Sequence, residues 1–392
     1  MQKLIILTLL GFLLATPDTR AQTNISFAAA DSQSYTLYEK AQWKTLLLYG
    51  KEAIANGQDF VLLRMRMGYA AFMLGNYSES IKHYEVVLKE DTYNSTAHYY
   101  IYWSRVNLNQ PEIAMAEVKY LSPGMIGDKN SRAAAFTNAA MEVSLKQASV
   151  ISRGNSLYFR VALGHRFSRG FHMQQSVATY RQKISEPLLT AVAKNNNINI
   201  NQVEYYNRVM INLNRNWQIK AAYHYMYTPF NNFIYHNHLL LAGVKYNGTY
   251  LNLQADAIIG KITDISTQQY NIQLDLYPLG NLNLYSFSTA SLRQQKGSAF
   301  NFRQVIGVKL LKQIWLEGNI TIGEFKNYAE NDALYVYNAI DIYKQKAGIT
   351  GYISLNKKLS AQLGYTFEQL QLLGTTTTFN QHSITGGLSW KF

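Results

Sequence analysis

From Met141 to the end, apolar and polar residues alternate. Met141, Val143 and Leu145 take turns with Glu142, Ser144 and Lys146. Leu157, Phe159, Val161 and Leu163 do the same with Tyr158, Arg160, Ala162 and Gly164. Further apolar rows are Val203, Tyr205, Val209 and Ile211, then Trp217, Ile219 and Ala221, and Leu251, Leu253 and Ala255. Ile314, Leu316, Ile320 and Ile322 make another, as do Leu359, Ala361, Leu363 and Tyr365. The chain closes on Ile384, Gly386, Leu388, Trp390 and Phe392. A period of two is that of a β-strand. Repeated stretches of about ten residues make up the pattern of a transmembrane barrel. A secreted β-sandwich would not need so apolar an outward face on almost every strand.

The links between strands come in two lengths. Short ones lie at 167–170, 214–216, 247–249, 278–281, 312–313 and 356–358, and long ones at 184–201, 228–233, 261–267, 294–299, 326–343 and 374–378. Short turns face the periplasm and long loops face outward in such barrels. Strand parity then requires an upward strand before Leu157, and the Met141 segment supplies it. This predicts fourteen strands over 136–392, or twelve if Phe136–Ala148 is a helix instead. The last strand puts Trp390 and Phe392 on the lipid side, and a terminal strand ending in Phe resembles the signal read by the outer-membrane barrel-assembly machinery.

Before the barrel the period is helical. Val61–Asn94 spans 34 residues, with Gly68, Ala70, Gly75, Tyr77, Tyr84 and Leu88 at the positions where a tetratricopeptide repeat (TPR) wants small or large residues. Residues 33–121 resemble about three such units. Ser80 and Thr92 depart from the pattern. The resemblance implies a short α-solenoid with a concave face that binds a protein or peptide. A Pro/Gly-marked linker, 122–132, follows. The expected fold class is therefore α + β: a solenoid, then an antiparallel barrel.

Composition adds three things. An apolar run, Leu4–Ala15, behind Lys3 reads as a secretory signal over residues 1–21. The absence of cysteine means that no disulfide holds the exported chain. The 30 tyrosines and 6 prolines suit long strands and interfacial girdles. The formal net charge of +13 is scattered rather than clustered with aromatics, which argues against nucleic acid.

Opposite the apolar rows, the inward cations are Lys146, Arg160, Arg166, Arg208, Lys220, Lys245, Arg293, Arg303, Lys309, Lys346 and Lys391. The inward anions are Glu142, Glu204, Asp256, Asp275, Glu317 and Glu368. Eleven against six leaves two outcomes. Either the excess favours anions in a pore, or the charges pair and plug the lumen. Arg160, Arg208, Lys220, Arg293, Arg303 and Lys346 are the basic lining candidates. His236 and His238 share one side of a strand but have no third ligand. No phosphate loop, nucleophile elbow or zinc-protease motif is present, so neither an enzyme nor a cofactor site is expected.

The order of parts is similar to that of the outer-membrane exporters of cellulose and poly-N-acetylglucosamine, and the Tyr- and Asn-rich style looks like Bacteroidota TPR-barrel proteins. These resemblances imply an outer-membrane conduit, a pore or exporter, with repeats docking a periplasmic partner. Polysaccharide follows from the family, and anionic solutes follow from the charge count. The other reading is a closed barrel that anchors a TPR adaptor.

Overall fold

The computed structural model describes residues 25–127, 132–185, 198–230 and 233–392. The expected secretory signal over 1–21, the middle of the 122–132 linker and most of the 184–201 link lie outside the described residues.

Strand β1 (Ala134–Ala148) is followed by β2 (Arg153–Arg166), β3 (Phe171–Ile184), β4 (Ile198–Asn212) and β5 (Trp217–Phe230). Next come β6 (Phe233–Asn247), β7 (Leu251–Ile262), β8 (Ile265–Leu276), β9 (Leu284–Gln294), β10 (Ser298–Leu311) and β11 (Ile314–Phe325). A small hairpin, β12 (Tyr328–Glu330) and β13 (Tyr335–Tyr337), interrupts the series. β14 (Ile342–Ser354), β15 (Leu359–Gln371) and β16 (Thr378–Lys391) complete it. Leaving out the hairpin, these are the fourteen strands of one closed antiparallel barrel, with β1 paired to β16. Met141 therefore sits on a strand, and the twelve-strand alternative is excluded.

Closure runs from Asn138 opposite Lys391 to Ala148 opposite Gln381. The Phe392 amide extends it by donating to the Thr137 carbonyl at 3.1 Å. The pleat sends the apolar rows outward as expected. Leu145, Val177, Leu253, Ile272, Leu363 and Ile384 are all exposed. Trp390 and Phe392 are exposed on the same face, and Phe392 lies 6.2 Å from the Phe136 ring.

The expected long links are mostly shorter than the sequence suggests. Between Lys261 and Thr267 only Thr263 and Asp264 leave the strands, both at positive φ (49° and 60°). This is the backbone of a two-residue hairpin turn that matches strand twist. The 294–299 link shrinks to 295–297. The large correction concerns 326–343, expected to project outward. It folds into the barrel, and Glu330 is only 5% exposed there.

The helical part is built of α1 (Phe27–Glu39), α2 (Trp43–Ala55), α3 (Val61–Met73), α4 (Tyr77–Glu90) and α5 (Ser95–Asn107). The stacked pairs are consistent with a TPR-like solenoid. Gly68 marks a helix crossing, since a Cβ there would meet the Tyr84 ring at 2.7 Å. After Asn107 the regularity fades. One turn of α-helix, α6 (Pro111–Ala114), passes into a 3₁₀ stretch, Met115–Tyr120, and a last turn, α7 (Pro123–Ile126).

This solenoid sits on the end of the barrel that carries the short turns. The start of α4 makes the joint. A helix N-terminus leaves amides without intrahelical partners. Asn76 accepts from Glu79 N, and the Gly280 carbonyl in the β8–β9 turn accepts from Ser78 N at 3.0 Å. Gly280 has φ +64°, and a Cβ there would lie 2.0 Å from Asn76 Oδ1, so the close approach requires glycine. Tyr250 Oη donates to Glu79 at 2.7 Å, and Asn281 donates to the Gly75 carbonyl at 2.9 Å. Around them Ile81 and Leu108 pack on Tyr277 and Tyr285.

Glu79 is the charged centre of this joint. The His83 ring, with Nε2 3.4 Å from Glu79 Oε1, holds that carboxyl well below the usual carboxylate range, and Tyr250 and Lys51 add to the effect. A carboxyl with a depressed pKa in the docked state contributes stability above its free value and loses it as pH falls. Docking is therefore expected to weaken progressively below pH ~4.5. Tyr250→Phe removes a bond to a charged acceptor, worth about 1.5–3 kcal/mol. Hydrogen exchange at the Ser78 amide checks both expectations, with a rise of at least about tenfold in the variant at neutral pH. Unchanged protection would mean that this joint does not hold the solenoid.

Candidate functional site in the barrel lumen

Inside the barrel, Lys326–Asp341 forms an inserted segment around the β12–β13 hairpin. Its turn runs through Asn331, Asp332 and Ala333, all with φ between 54° and 64°. Left-handed backbone costs residues with a Cβ roughly 1–2 kcal/mol each, so the surroundings must fix this turn. Asp332 is the principal tie. Its carboxylate accepts from Arg208 at 2.8 Å, Lys220 at 2.9 Å and Gln254 at 2.9 Å. Tyr206 donates to the Asp332 carbonyl at 2.9 Å, and His224 Nδ1 lies 2.7 Å from the Ala333 carbonyl.

The other flank is tied as well. Glu330 accepts from Lys346 at 2.7 Å and from Tyr337 at 3.1 Å. Tyr335 Oη donates to Glu142 at 2.8 Å and accepts from Arg160 at 3.1 Å. Asp341 receives both Nε and Nη2 of Arg153, at 2.6 and 2.8 Å. Gln269 and Ala329 exchange two hydrogen bonds, a sheet-like contact between wall and insert. Ala329 and Ala333 pack on Tyr206, Met226, Leu239, Leu241 and Ile258.

All six basic candidates face inward, and all meet this segment. Arg160, Arg208, Lys220 and Lys346 do so as above, and Arg293 donates to the Lys326 carbonyl at 2.6 Å. Arg303 approaches Glu330 only to 4.0 Å. Elsewhere Lys146 pairs with Glu368 and Lys245 with Asp275, at 2.9 and 2.8 Å. Lys309 lies over the Trp315 ring, Arg166 donates to the Arg132 carbonyl, and Lys391 is exposed. The excess of inward cations is thus met largely by carboxylates that sequence reasoning left in an outer loop. His236 and His238 stand outside the barrel, bonded to Tyr225 and Tyr223 at 2.8 and 2.9 Å.

The chain is a fourteen-stranded barrel with an occupied lumen. No family model and no curated protein matches it. Among solved structures it is similar to a Pseudomonas aeruginosa FadL homologue, at 9% identity and TM-score 0.46 over 72% of this chain and 92% of that one. A deltaS2S3 mutant of TodX, a monoaromatic hydrocarbon channel, gives 8% and 0.45 over 66% and 91%. The KdgM porin gives 9% and 0.33 over 64% and 99%.

The insert does not fill the lumen. It lies against β4–β9, where inward side chains are large. On the β14–β16 and β1 side many inward residues are small, among them Ser144, Thr350, Gly364, Thr366, Ser383 and Thr385, and they alternate in level with larger ones such as Lys346, Tyr352 and Glu368. A cavity of about 590 Å³ remains there. At the outer rim it reaches Phe230, Tyr235 and Leu373, and at its deep end Tyr352 and Gln362. Those two lie within three residues of the strand ends Ser354 and Leu359.

If Asp332 holds the insert, Asp332→Asn should loosen it. The reporter is a cysteine at Ala333, which is 2% exposed. An impermeant maleimide is expected to label it slowly in the parent and at least about tenfold faster when combined with Asp332→Asn, because two cations lose their counter-ion. Equal rates would show that Asp332 is not the tie.

Proposed function

We propose that this protein is an outer-membrane conduit for small polar solutes, narrowed from within by its own 326–341 segment. The observation that carries the reading is the cavity beside the insert, lined by charged and small polar residues together with tyrosines, which runs most of the strand length. A barrel that served only as an anchor would have no use for a wall of glycine, serine and threonine along one side. The closed sheet and its apolar exterior support a membrane location, since only closed barrels and helices satisfy every backbone group in hydrocarbon. The apolar run behind Lys3, read as a secretory signal, supports the bacterial outer membrane as that membrane.

In this reading the short turns and the solenoid lie in the periplasm, where the repeats dock a protein or peptide partner. Trp390 and Phe392, on the closing strand, form the signal for the barrel-assembly machinery. The adaptor alternative draws on the joint at Glu79, Tyr250 and Gly280, which fixes the solenoid to the barrel as an anchor would.

Single-channel recording of the purified protein tests the conduit. Small steps are expected from the parent. Replacing residues 327–340 with a short Gly/Ser link should raise conductance several-fold. No steps from either protein would favour the anchored adaptor. Topology is tested with cysteines at Lys89 and Lys296. Lys89 should react with impermeant maleimide only after outer-membrane disruption, and Lys296, in the β9–β10 turn, should react in whole cells. The reverse pattern would invert the orientation.

A further inference from the structure

We infer that the lumenal cavity holds a binding site for an oxyanion, the carboxylate or phosphate of a small polar solute, centred on Arg303. This deepens the conduit reading by naming the class of solute.

The cations that line the cavity are Lys146, Arg153, Arg160, Arg303, Lys326 and Lys346. Five of them bond a carboxylate or a carbonyl: Lys146 to Glu368, Arg153 to Asp341, Arg160 to Glu142, Lys326 to the Ile340 carbonyl and Lys346 to Glu330. Arg303 is different. Among the described residues its guanidinium makes no hydrogen bond, and Nε is buried without a partner. Glu330, at 4.0 Å, is already taken up by Lys346, Tyr337 and Thr321. Two cations thus face one carboxylate, and the fork of Arg303 remains available. Glu317, on β11 four residues from Thr321, the residue opposite Arg303, is a neighbouring charge with no hydrogen bond to Arg303. Tyr285 holds Glu317 at 3.3 Å.

The neighbourhood suits an acid. Arginine presents a planar set of donors that matches a carboxylate or phosphate. Asn319 is diagonal to Arg303 across the β10–β11 pair and lines the same cavity. Its amide lies 2.9 Å from where a Cβ on Gly348 would stand, so the glycine makes room for this second donor. Tyr158 lines the same cavity, and its buried hydroxyl is also without a partner. A volume of about 590 Å³ lies in the usual range of small-molecule sites.

The test is calorimetric titration of the full-length folded protein in detergent, which needs no conductance. The probes are glucuronate, glucose as its neutral counterpart, and inorganic phosphate. Glucuronate or phosphate is expected to bind at least tenfold tighter than glucose. Arg303→Gln should abolish that preference, Arg303→Lys should keep part of it, and Lys391→Gln should leave it intact. Should the Gln variant lose its heat-modifiable fold, the Lys variant decides, with several-fold weaker binding expected. Preference for glucuronate alone assigns a carboxylate, and for phosphate alone a phosphate. Equal binding of all three probes, or unchanged preference in both Arg303 variants, overturns the site. Oxyanion binding without single-channel steps would sink the conduit and leave the site standing. Steps without oxyanion binding would do the reverse.

Discussion

Everything else in this molecule follows from closure of the sheet. In hydrocarbon an unpaired backbone amide or carbonyl costs several kcal/mol, so β1 must find β16. The pairing from Asn138 with Lys391 to Ala148 with Gln381 meets that demand. Once the sheet closes, the pleat sorts every residue. Alternate positions go to the outside, where Leu, Ile and Val are accepted, and the others are confined to a narrow interior. There the polar residues must satisfy one another.

That confinement explains the inserted segment. Arg208 and Lys220 project from adjacent strands toward the same space, and the carboxylate on those strands, Glu204, faces His224 instead. Asp332 arrives from the link between β11 and β14 and takes both cations. Glu330 does the same for Lys346, and Asp341 for Arg153. Truncating one partner of a buried pair leaves an uncompensated charge, so wall and insert depend on each other. The left-handed turn at Asn331–Ala333 is the local cost of bringing Asp332 to that point.

Much of this was legible in the sequence. Alternation gave the strands, their phase and, through parity, their number, because a lipid-facing row leaves little freedom to slip. The inserted segment was misread because its length alone suggested an exterior loop. Two signals were nonetheless there. Tyr328, Tyr335 and Tyr337 flank the turn-forming Asn331–Asp332 pair, a strand–turn–strand pattern within a supposed loop. The count of inward cations over anions also called for carboxylates from elsewhere. The third helical unit was less legible. Pro111, Ala114 and Leu121 keep the spacing of a helix, yet the chain winds into a 3₁₀ stretch. The free guanidinium of Arg303 could not be read at all, since it depends on which partners Glu330 has already accepted.

Side-chain volume decides which half of the lumen is occupied. Along β4–β7 the inward positions carry Tyr206, Met226, Leu239, Leu241 and Ile258, an apolar surface on which Ala329 and Ala333 can pack. Along β14–β16 they carry Tyr343, Leu370 and Phe379 near the outer rim, an apolar cluster that Tyr328 and Tyr337 join, and below it Gly348, Thr350, Gly364, Ser383 and Gly387, which offer little apolar area. Burial is worth about 25 cal/mol per Å² of apolar surface, so the insert settles against both apolar patches. At the second wall Lys346 bonds Glu330, and the Tyr337 ring lies 5.1 Å from that of Tyr343 within the apolar cluster, so packing as well as hydrogen bonds holds the insert there. The cavity is therefore set by an asymmetry written into alternate residues of the strands: it lies beside the stretch of wall that carries small residues.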